Sequence, residues 1–430
     1  MEKNQNVIIV AIVAVLLVFG GWYMLNQQNT DPQDTQDPVT PDKTEIVIGA
    51  AMSLTGNMGA SGARFKQGYE VWEEMVNDQG GILVEGERYP VSLIVYDDKS
   101  DPTTTASLYE RLISVDNVDF IIGPFSSSCA MTMSPVAEEH GLVNIQPSSN
   151  AKAVYSQGWE WIIMGDIEGK ADDLARPFFD FLASLPEDQK PSTLATITLN
   201  HVYTEDIVSQ FGDWCDEIGI EWIMNEEVPA DIKDMTGVIS KIQAAEPDVF
   251  MDVVFVNQGV LTARAMEELE YTPKFYYEQL AYNPDYHQNV GNMGNGALCM
   301  VDWTLNGDFF ESTPVTKLEF INYYEEKYDH KPDSFPAKGF AGLQLLQLAV
   351  ESVGTIDDIV EKDHVAIRDY LKDNEHLTIV GTYSFKDDGS CMPSSRVGQL
   401  SLVDGEYSIN AVYPDSAATS DLLYPYSPGE

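Results

Sequence analysis

Short apolar runs alternate with amphipathic stretches along this chain from Glu45 onward. The first run, EIVIGAAM, is rich in β-branched residues and ends in small ones, which is typical of a buried strand. In the next stretch, Ala63 to Asn77, large apolar residues recur at helical spacing until Gly80-Gly81 ends the pattern. This repeated order of strand and helix predicts a parallel sheet whose connections are right-handed crossovers.

A second series with the same order begins near Asp166 and is about as long as the first. We therefore predict an α/β fold with two doubly wound parallel-sheet lobes and a cleft between them. Helical stretches and then period-two strands follow, with a turn at Asp404-Gly405, so the chain is expected to return to each lobe through a multi-crossing hinge. The predicted boundaries are 45–165 and 301–393 for the first lobe, 166–300 and 394–414 for the second, and 415–430 for a polar tail.

The segment from Val7 to Leu25 contains 19 residues without a charge, long enough to cross about 30 Å of hydrocarbon as a helix. A secretory signal peptide is the alternative, but its apolar stretch is usually shorter and precedes a small-residue cleavage site. We predict an uncleaved transmembrane anchor within residues 1–29 and a flexible acidic, Pro-rich linker over 30–44. Lys3 before the segment and aspartates after it place the bulk of the chain outside the cell, at the membrane.

The 430 residues include 24 Lys and Arg against 69 Asp and Glu, a formal net charge of −45. Such a charge repels phosphate backbones, and the chain has no Lys/Arg cluster, so we expect no binding of nucleic acid. Solvation of the whole surface is the simplest interpretation of this acidity, and cation binding is the minor one.

Motifs of common catalytic sites are absent: the chain has no G-x-S-x-G, P-loop, HExxH or glycine-rich dinucleotide fingerprint. The four cysteines form no CxxC pair, so a metal site has little support, while disulfides and buried free thiols both stay open. They are Cys129, Cys215, Cys299 and Cys391. We therefore expect no enzyme, no cofactor and no metal.

Five segments resemble, in order, motifs of the type I periplasmic binding proteins, the family of the leucine/isoleucine/valine-binding protein. The first is GAAMSLTGNMGASGARFKQGYEVWEEMVNDQGGI, similar to that family's strand, P/S-L-T-G loop and first helix. The others are YDDKSDPTTTASLYERLI, VDFIIGPFSSSCAMTMSPVAEEHGLVNIQPSSN, GFAGLQLLQLAVESVG and GTYSFKDDGS. The likeness covers Glu45 to Tyr413 and implies a solute-binding protein that delivers a small molecule to the permease subunits of an ABC importer.

Serines at the start of a helix are the main candidates for ligand contact in the first lobe. Ser126 and Ser127 follow a strand and precede a helix, where hydroxyls and backbone N–H groups can bind an anion or simply cap the helix. The resemblance implies that Ser127 holds a ligand carboxylate and that Ser148 and Asn150 contact a carboxylate or ammonium group. Ser61, in the first quoted segment, is also a predicted ligand contact.

In the second lobe, the resemblance implies aromatic residues and an acid. Tyr203 matches the aromatic residue that closes over the ligand, and Phe255 lies near a second aromatic position. Glu278 or Gln279 matches the acid that pairs with a ligand ammonium, with the register uncertain by one residue. If Gln279 takes that place, a neutral amide, a carboxylate or a quaternary amine becomes more plausible as a ligand, since neighbouring tyrosines can cage a cation. Ordinary packing is the alternative for each aromatic residue.

The sequence therefore predicts a membrane-tethered, extracytoplasmic solute-binding protein for an amino acid or a related small polar molecule. A ligand-sensing ectodomain of a receptor system is an alternative on the same fold, and it would need a separate signalling partner. A hydrolase built on this scaffold would need activity that Ser127→Ala abolishes.

Overall fold

The computed structural model describes five stretches of the chain, which are residues 44–56, 58–305, 314–354, 362–393 and 396–428. The predicted anchor and nearly all of the predicted linker lie outside these residues. All elements below belong to one compact unit, Glu45–Glu430. Within the five stretches, every helix is either too short or too polar to cross a membrane.

The first series builds a five-stranded parallel sheet in the order β4-β1-β5-β6-β7. Its strands are β1 (Ile46–Met52), β2 (Ile82–Val84), β3 (Glu87–Tyr89), β4 (Val91–Asp97), β5 (Phe120–Ile122), β6 (Asn144–Gln146) and β7 (Ile162–Met164), with β2 and β3 forming a separate hairpin. Its helices are α1 (Gly59–Asp78), α2 (Pro102–Ser114), α3 (Ser127–His140) and α4 (Lys152–Tyr155).

The second series has the same alternation of strands and helices. Its strands are β8 (Thr193–Leu199), β9 (Glu221–Val228), β10 (Val249–Val253), β11 (Phe275–Glu278) and β12 (Leu298–Val301). Its helices are α5 (Arg176–Ser184), α6 (Val202–Val208), α7 (Phe211–Ile218), α8 (Thr236–Ala245), α9 (Val256–Glu268) and α10 (Pro284–Asn289), and 3₁₀ turns lie at Ala171–Asp173 and Gly291–Gly294.

The last part of the chain adds helices to lobe 1 and two strands to the second sheet. It contains α11 (Lys317–Tyr328), α12 (Ser334–Val353), α13 (Lys362–Asp373), β13 (His376–Thr378), β14 (Gly381–Tyr383), β15 (Arg396–Val403), β16 (Glu406–Tyr413) and a 3₁₀ turn at Asp415–Ala417. The second sheet has the order β16-β15-β12-β11-β10-β8-β9, parallel from β9 to β12 and antiparallel for its last two strands.

Buried apolar side chains define two lobes. Lobe 1 has one core, drawn from described residues of 45–167 and 303–391, and α12 packs on α1 so closely that Gly68 faces the backbone of Pro336. Lobe 2, from 171–301 and 396–426, has a core on each face of its sheet. The segment predicted as a polar tail adds to one of these cores, because Tyr426 is buried and its hydroxyl contacts the carbonyl oxygen of Met293. Two tyrosines among its polar residues explain why it packs.

Local signals set the ends of helices in lobe 1. Asp101 caps α2 by accepting a hydrogen bond from the Thr104 amide, and a proline follows it in the first turn. Gly141, at a φ of 65°, ends α3 in the left-handed conformation that glycine favours. Asp101 thus ends the loop after β4, and Gly141 begins the connection from α3 to β6.

Candidate ligand cleft

The loops after several parallel strands of both lobes lie next to one another. In an open α/β sheet such loops form the crevice in which ligands bind. The Ala171 amide of lobe 2 donates a hydrogen bond to the Asn150 carbonyl oxygen of lobe 1 at 2.7 Å. Lys152 and Asp172 form an ion pair across the same boundary at 2.9 Å. The two lobes therefore meet at the loop that carries Ser148 and Asn150.

Ser126 and Ser127 occupy the start of α3, as their position in the sequence predicts. Ser126 is the N-cap, with a φ of 86° and a side chain that accepts a long hydrogen bond of 3.5 Å from the Cys129 amide. The Ser127 Oγ accepts a hydrogen bond of 3.1 Å from the Ala151 amide. Because a hydroxyl can donate while it accepts, the Ser127 O–H can still bind an acceptor on a ligand.

The remaining lobe 1 candidates are half-buried. The Ser148 hydroxyl donates to the Pro124 carbonyl oxygen at 3.3 Å, which ties the loop after β6 to the loop after β5. Asn150 uses its backbone carbonyl in the contact with Ala171, and Ser61 lies in the first turn of α1. Ser127, Ser148 and Asn150 are thus brought together by direct links between their loops, and no such link ties Ser61 to them in the described residues.

Aromatic side chains form the lobe 2 side. Tyr203 and Phe255 follow β8 and β10, and their rings lie parallel within 13° with centroids 6.4 Å apart. The His201 ring meets Phe255 edge-on at 5.0 Å. All three follow the carboxyl ends of neighbouring strands, so the rings are grouped at one edge of the lobe 2 sheet.

The structure separates the two candidates for the acid position. Glu278 is fully buried and points toward α9, since a Cβ added to Gly259 would lie 2.6 Å from its Oε1 atom. Gln279 lies on the opposite face, where its Oε1 accepts a hydrogen bond of 2.9 Å from the Tyr277 hydroxyl. Burial raises the pKa of Tyr203, and hydrogen bonding to Gln279 opposes that rise. Gln279 therefore faces Tyr203 and the cleft, and Glu278 does not, because successive side chains on a strand point to opposite faces.

A buried ion cluster that sequence reasoning missed joins the lobes at the hinge. Lys338, on α12 of lobe 1, lies 3.2 Å from Asp166, 3.1 Å from Glu168 and 2.7 Å from Asp302. The three acids stand on two of the segments that cross between the lobes, and all four side chains are at most 8% exposed. No signal in the sequence links these residues, because they come together only in the folded chain.

The pKa values in this hinge cluster follow from burial and from mutual charge. Burial raises the pKa of Glu168 to about 8, although Lys338 opposes the rise. Burial alone would lower the pKa of Lys338, but the three carboxylates raise it well above its ordinary value. Lys338 is therefore charged at neutral pH, and one of the surrounding acids retains a proton.

A cavity of about 230 Å³ adjoins this cluster, between the loop after β11 and the start of α12. Its walls include Tyr282, Trp303, Phe335 and Tyr407, together with the polar Asp302 and Asp333. The Phe335 ring continues into lobe 1 through Phe65, at a centroid distance of 5.5 Å. The cavity is therefore suited to an apolar group of a small ligand.

Other chemistry has little support in the described residues. In that part of the chain, no three His, Cys, Asp or Glu side chains are grouped as a metal site would require. The four cysteines are all buried, and none of them forms a disulfide. Burial raises the pKa of Cys215 to about 12, as expected for an unreactive thiol.

Comparisons with known proteins agree with this geometry. The family model described as "Periplasmic binding protein" matches residues 45–399. The Leu/Ile/Val-binding protein homolog 7 of Brucella abortus (strain 2308) is 25% identical over 399 residues, covering 91% of this chain and 96% of the relative. This relative is named as a binding protein and not as an enzyme, in agreement with the expectation from the sequence.

Solved structures share the fold. A putative branched-chain amino acid ABC transporter from Silicibacter pomeroyi aligns with a TM-score of 0.76 and 20% identity, over 89% of this chain and 99% of that one. A solute-binding protein of an ABC transporter from Rhodopseudomonas palustris BisB5, in complex with 3,4-dihydroxybenzoic acid, aligns with a TM-score of 0.68 and 17% identity, over 89% and 99%. The predicted two-lobe α/β architecture is confirmed.

Proposed function

Since the chain belongs to the periplasmic binding protein family, we propose that it is the extracytoplasmic solute-binding component of an ABC-type importer. Its lobes close on one small molecule and present the closed form to permease subunits. A ligand that contacts both lobes favours the closed state by its higher affinity for that state.

One observation carries this proposal: the lobe 1 loop that bears Ser148 and Asn150 contacts lobe 2 at Ala171 and Asp172. Ser127 and Ser148 are linked within lobe 1 through hydrogen bonds to the backbone. Tyr203 and Gln279 stand at the facing edge of the lobe 2 sheet. Polar groups that are already held in place on both sides lose little conformational entropy when they replace the water around a small solute.

The ligand that fits best is a carboxylic acid with an apolar side group. The Ser127 hydroxyl and the N-terminal amides of α3 can bind a carboxylate without a basic side chain. The cavity beside Tyr282 and Phe335 can take the apolar group. Branched-chain amino acids, named for one relative, and 3,4-dihydroxybenzoic acid, bound in one structural neighbour, share the carboxylate and differ in the side group.

Isothermal titration calorimetry against a panel of solutes tests the proposal. We expect leucine, phenylalanine or benzoate to bind, and Ser127→Ala to weaken that binding at least about tenfold, the loss of one hydrogen bond to a charged group. Ser240→Ala, which removes an exposed hydroxyl on α8, is the matched control and should leave affinity unchanged. A folded protein that binds no solute of the panel, including acetamide and glycine betaine, would contradict the proposal.

The N-terminal segment Val7–Leu25 completes the proposed function as an anchor that keeps the binding domain at the membrane. The full chain should sediment with membranes and be released only by detergent. A chain that starts at Thr44 should stay in the aqueous fraction. Release of the full chain by salt alone would contradict anchoring.

A further inference from the structure

Two acids are buried side by side in the core of lobe 2, away from the cleft. Asp252 on β10 and Glu278 on β11 are in-register neighbours in the parallel sheet, and both are 0% exposed. None of their four carboxyl oxygens has a hydrogen-bond partner among the described residues. This differs from the usual state of buried polar atoms, which are nearly all paired.

Three hydroxyl groups surround the two carboxyls and are unpaired as well. Thr262 comes from α9, Tyr276 from β11 and Tyr286 from α10, and each is 0% exposed. The hydroxyls of Tyr276 and Tyr286 lie near each other, but none of the three has a partner at full hydrogen-bond geometry in the described part of the chain. Thr262 and Tyr276 lie beside Asp252 and oppose the rise in its pKa that burial causes, yet neither reaches it with full hydrogen-bond geometry. We call these five side chains the lobe 2 oxygen cluster.

The charge of this cluster must be neutralised. An ionised carboxylate in an apolar core is too costly unless a proton or a cation offsets it. Besides each other, the groups that act on the two carboxyls are neutral: Thr262, Tyr276 and the Leu280 amide.

We propose that Asp252 and Glu278 bind a hard divalent cation, Ca²⁺ in preference to Mg²⁺, with the surrounding hydroxyls completing its oxygen shell. The donors are all oxygens, which selects a hard cation over zinc or copper. Two carboxylates match a double charge. Seven protein oxygens suit the flexible coordination of six to eight ligands typical of Ca²⁺, whereas Mg²⁺ demands a strict octahedron and retains water.

The position of the cluster gives such a cation a role in the cleft. The backbone N–H of Gln279 donates a hydrogen bond of 3.0 Å to the backbone carbonyl oxygen of Asp252, and Phe255 follows Asp252 by three residues. A cation held by both strands would fix the two strand ends that present Phe255 and Gln279. The absence of a side chain at Gly259 leaves the room that Glu278 occupies.

Metal analysis and thermal unfolding of the full chain test this site. After treatment with a chelator, loading with CaCl₂ and exhaustive buffer exchange, we expect the protein to retain one equivalent of Ca²⁺. The Tm should rise by about 5 °C at a hundredfold excess over the dissociation constant, and less with MgCl₂. The Asp252→Asn/Glu278→Gln double variant should lose both the retained ion and the rise in Tm.

A surface variant separates this site from loose binding to an acidic protein. Glu187→Gln/Asp188→Asn removes two exposed carboxylates and should behave as the wild type. Wild-type protein that retains no Ca²⁺ would overturn the proposal even if the double variant failed to fold. An infrared band of protonated carboxyl groups, present with Ca²⁺ and lost in the double variant, would show instead that the two acids hold protons. Failure here leaves the cleft and its solute untouched, since the calorimetric test uses other residues.

Discussion

The two sides of the cleft are built from different kinds of side chain. Lobe 1 presents the small hydroxyls of Ser127 and Ser148, each already tied to the backbone of a neighbouring loop. Lobe 2 presents the large rings of Tyr203 and Phe255 with the amide of Gln279. Lobe 1 is therefore suited to hold a charged head group in a fixed place, and lobe 2 is suited to cover an apolar body.

A substitution in the ion cluster that connects the two lobes should have the largest effect. Lys338→Met would leave the three buried acids at the hinge, one of which retains a proton, without the counter-charge of the lysine. We expect a loss of about 3–5 kcal/mol in the free energy of unfolding, measured in urea. Lys241→Met removes an exposed pair with Glu226 and should cost about 1 kcal/mol or less. Equal losses for the two variants would show that the hinge cluster does not hold the lobes.

The same cluster predicts how stability depends on pH. The pKa of Glu168 is about 8 in the folded chain against an ordinary 4.5, so the folded state keeps a proton that the unfolded state releases. Stability should therefore fall as pH rises from about 4.5 to about 8, by at most about 1.4 kcal/mol per unit for this group. Glu168→Gln should flatten that slope in urea unfolding at several pH values. An unchanged slope would contradict the raised pKa.

Removing an aromatic ring from lobe 2 tests whether the two lobes contact different parts of the ligand. Tyr282→Ala, which removes a ring from the wall of the cavity proposed for the apolar group, should weaken binding of phenylalanine or leucine by about 10- to 100-fold, the value of burying a large apolar surface. It should weaken binding of acetate much less. Ser127→Ala should weaken all carboxylates alike. Calorimetry with phenylalanine, leucine and acetate separates these patterns, and identical losses for both variants would show that the lobes do not divide the ligand in this way.

The smallest expected change comes from the amide of lobe 2. Gln279→Glu adds a negative charge that faces Tyr203. We expect the ratio of affinities for leucine and 4-methylpentanoate, which lacks the ammonium group, to rise about tenfold. Gln279→Met, of similar size and neutral, is the control and should leave the ratio near its wild-type value. A ratio that does not move would place the ligand's ammonium away from residue 279.

Much of the fold could be predicted because its signals are local. The helix predicted from Ala63 to Asn77 is observed over Gly59–Asp78, since large apolar residues at helical spacing mark its buried face and Gly80-Gly81 follows its end. The β2–β3 hairpin escaped prediction although Glu85-Gly86 forms its turn, with both residues at positive φ. Short strands of three residues carry too little periodicity to be recognised.

The site was harder to predict because it depends on register and on distant partners. Glu278 and Gln279 are adjacent, and only the pairing of β11 with β10 decides which of them faces the cleft. Lys338 meets Asp166 and Glu168 across some 170 residues of chain, through the packing of α12 at the hinge. Patterns within one segment carry no information about such contacts.

A crystal structure of the chain with its tightest-binding solute tests the central claim most directly. We expect a carboxylate oxygen of the solute within about 2.7–3.0 Å of the Ser127 Oγ atom, the range of a charge-assisted hydrogen bond. Its apolar group should lie between Tyr282 and Phe335, so that one molecule contacts both lobes. A solute bound on the surface of a single lobe, with Ser127 and Tyr203 both free of it, would contradict the account.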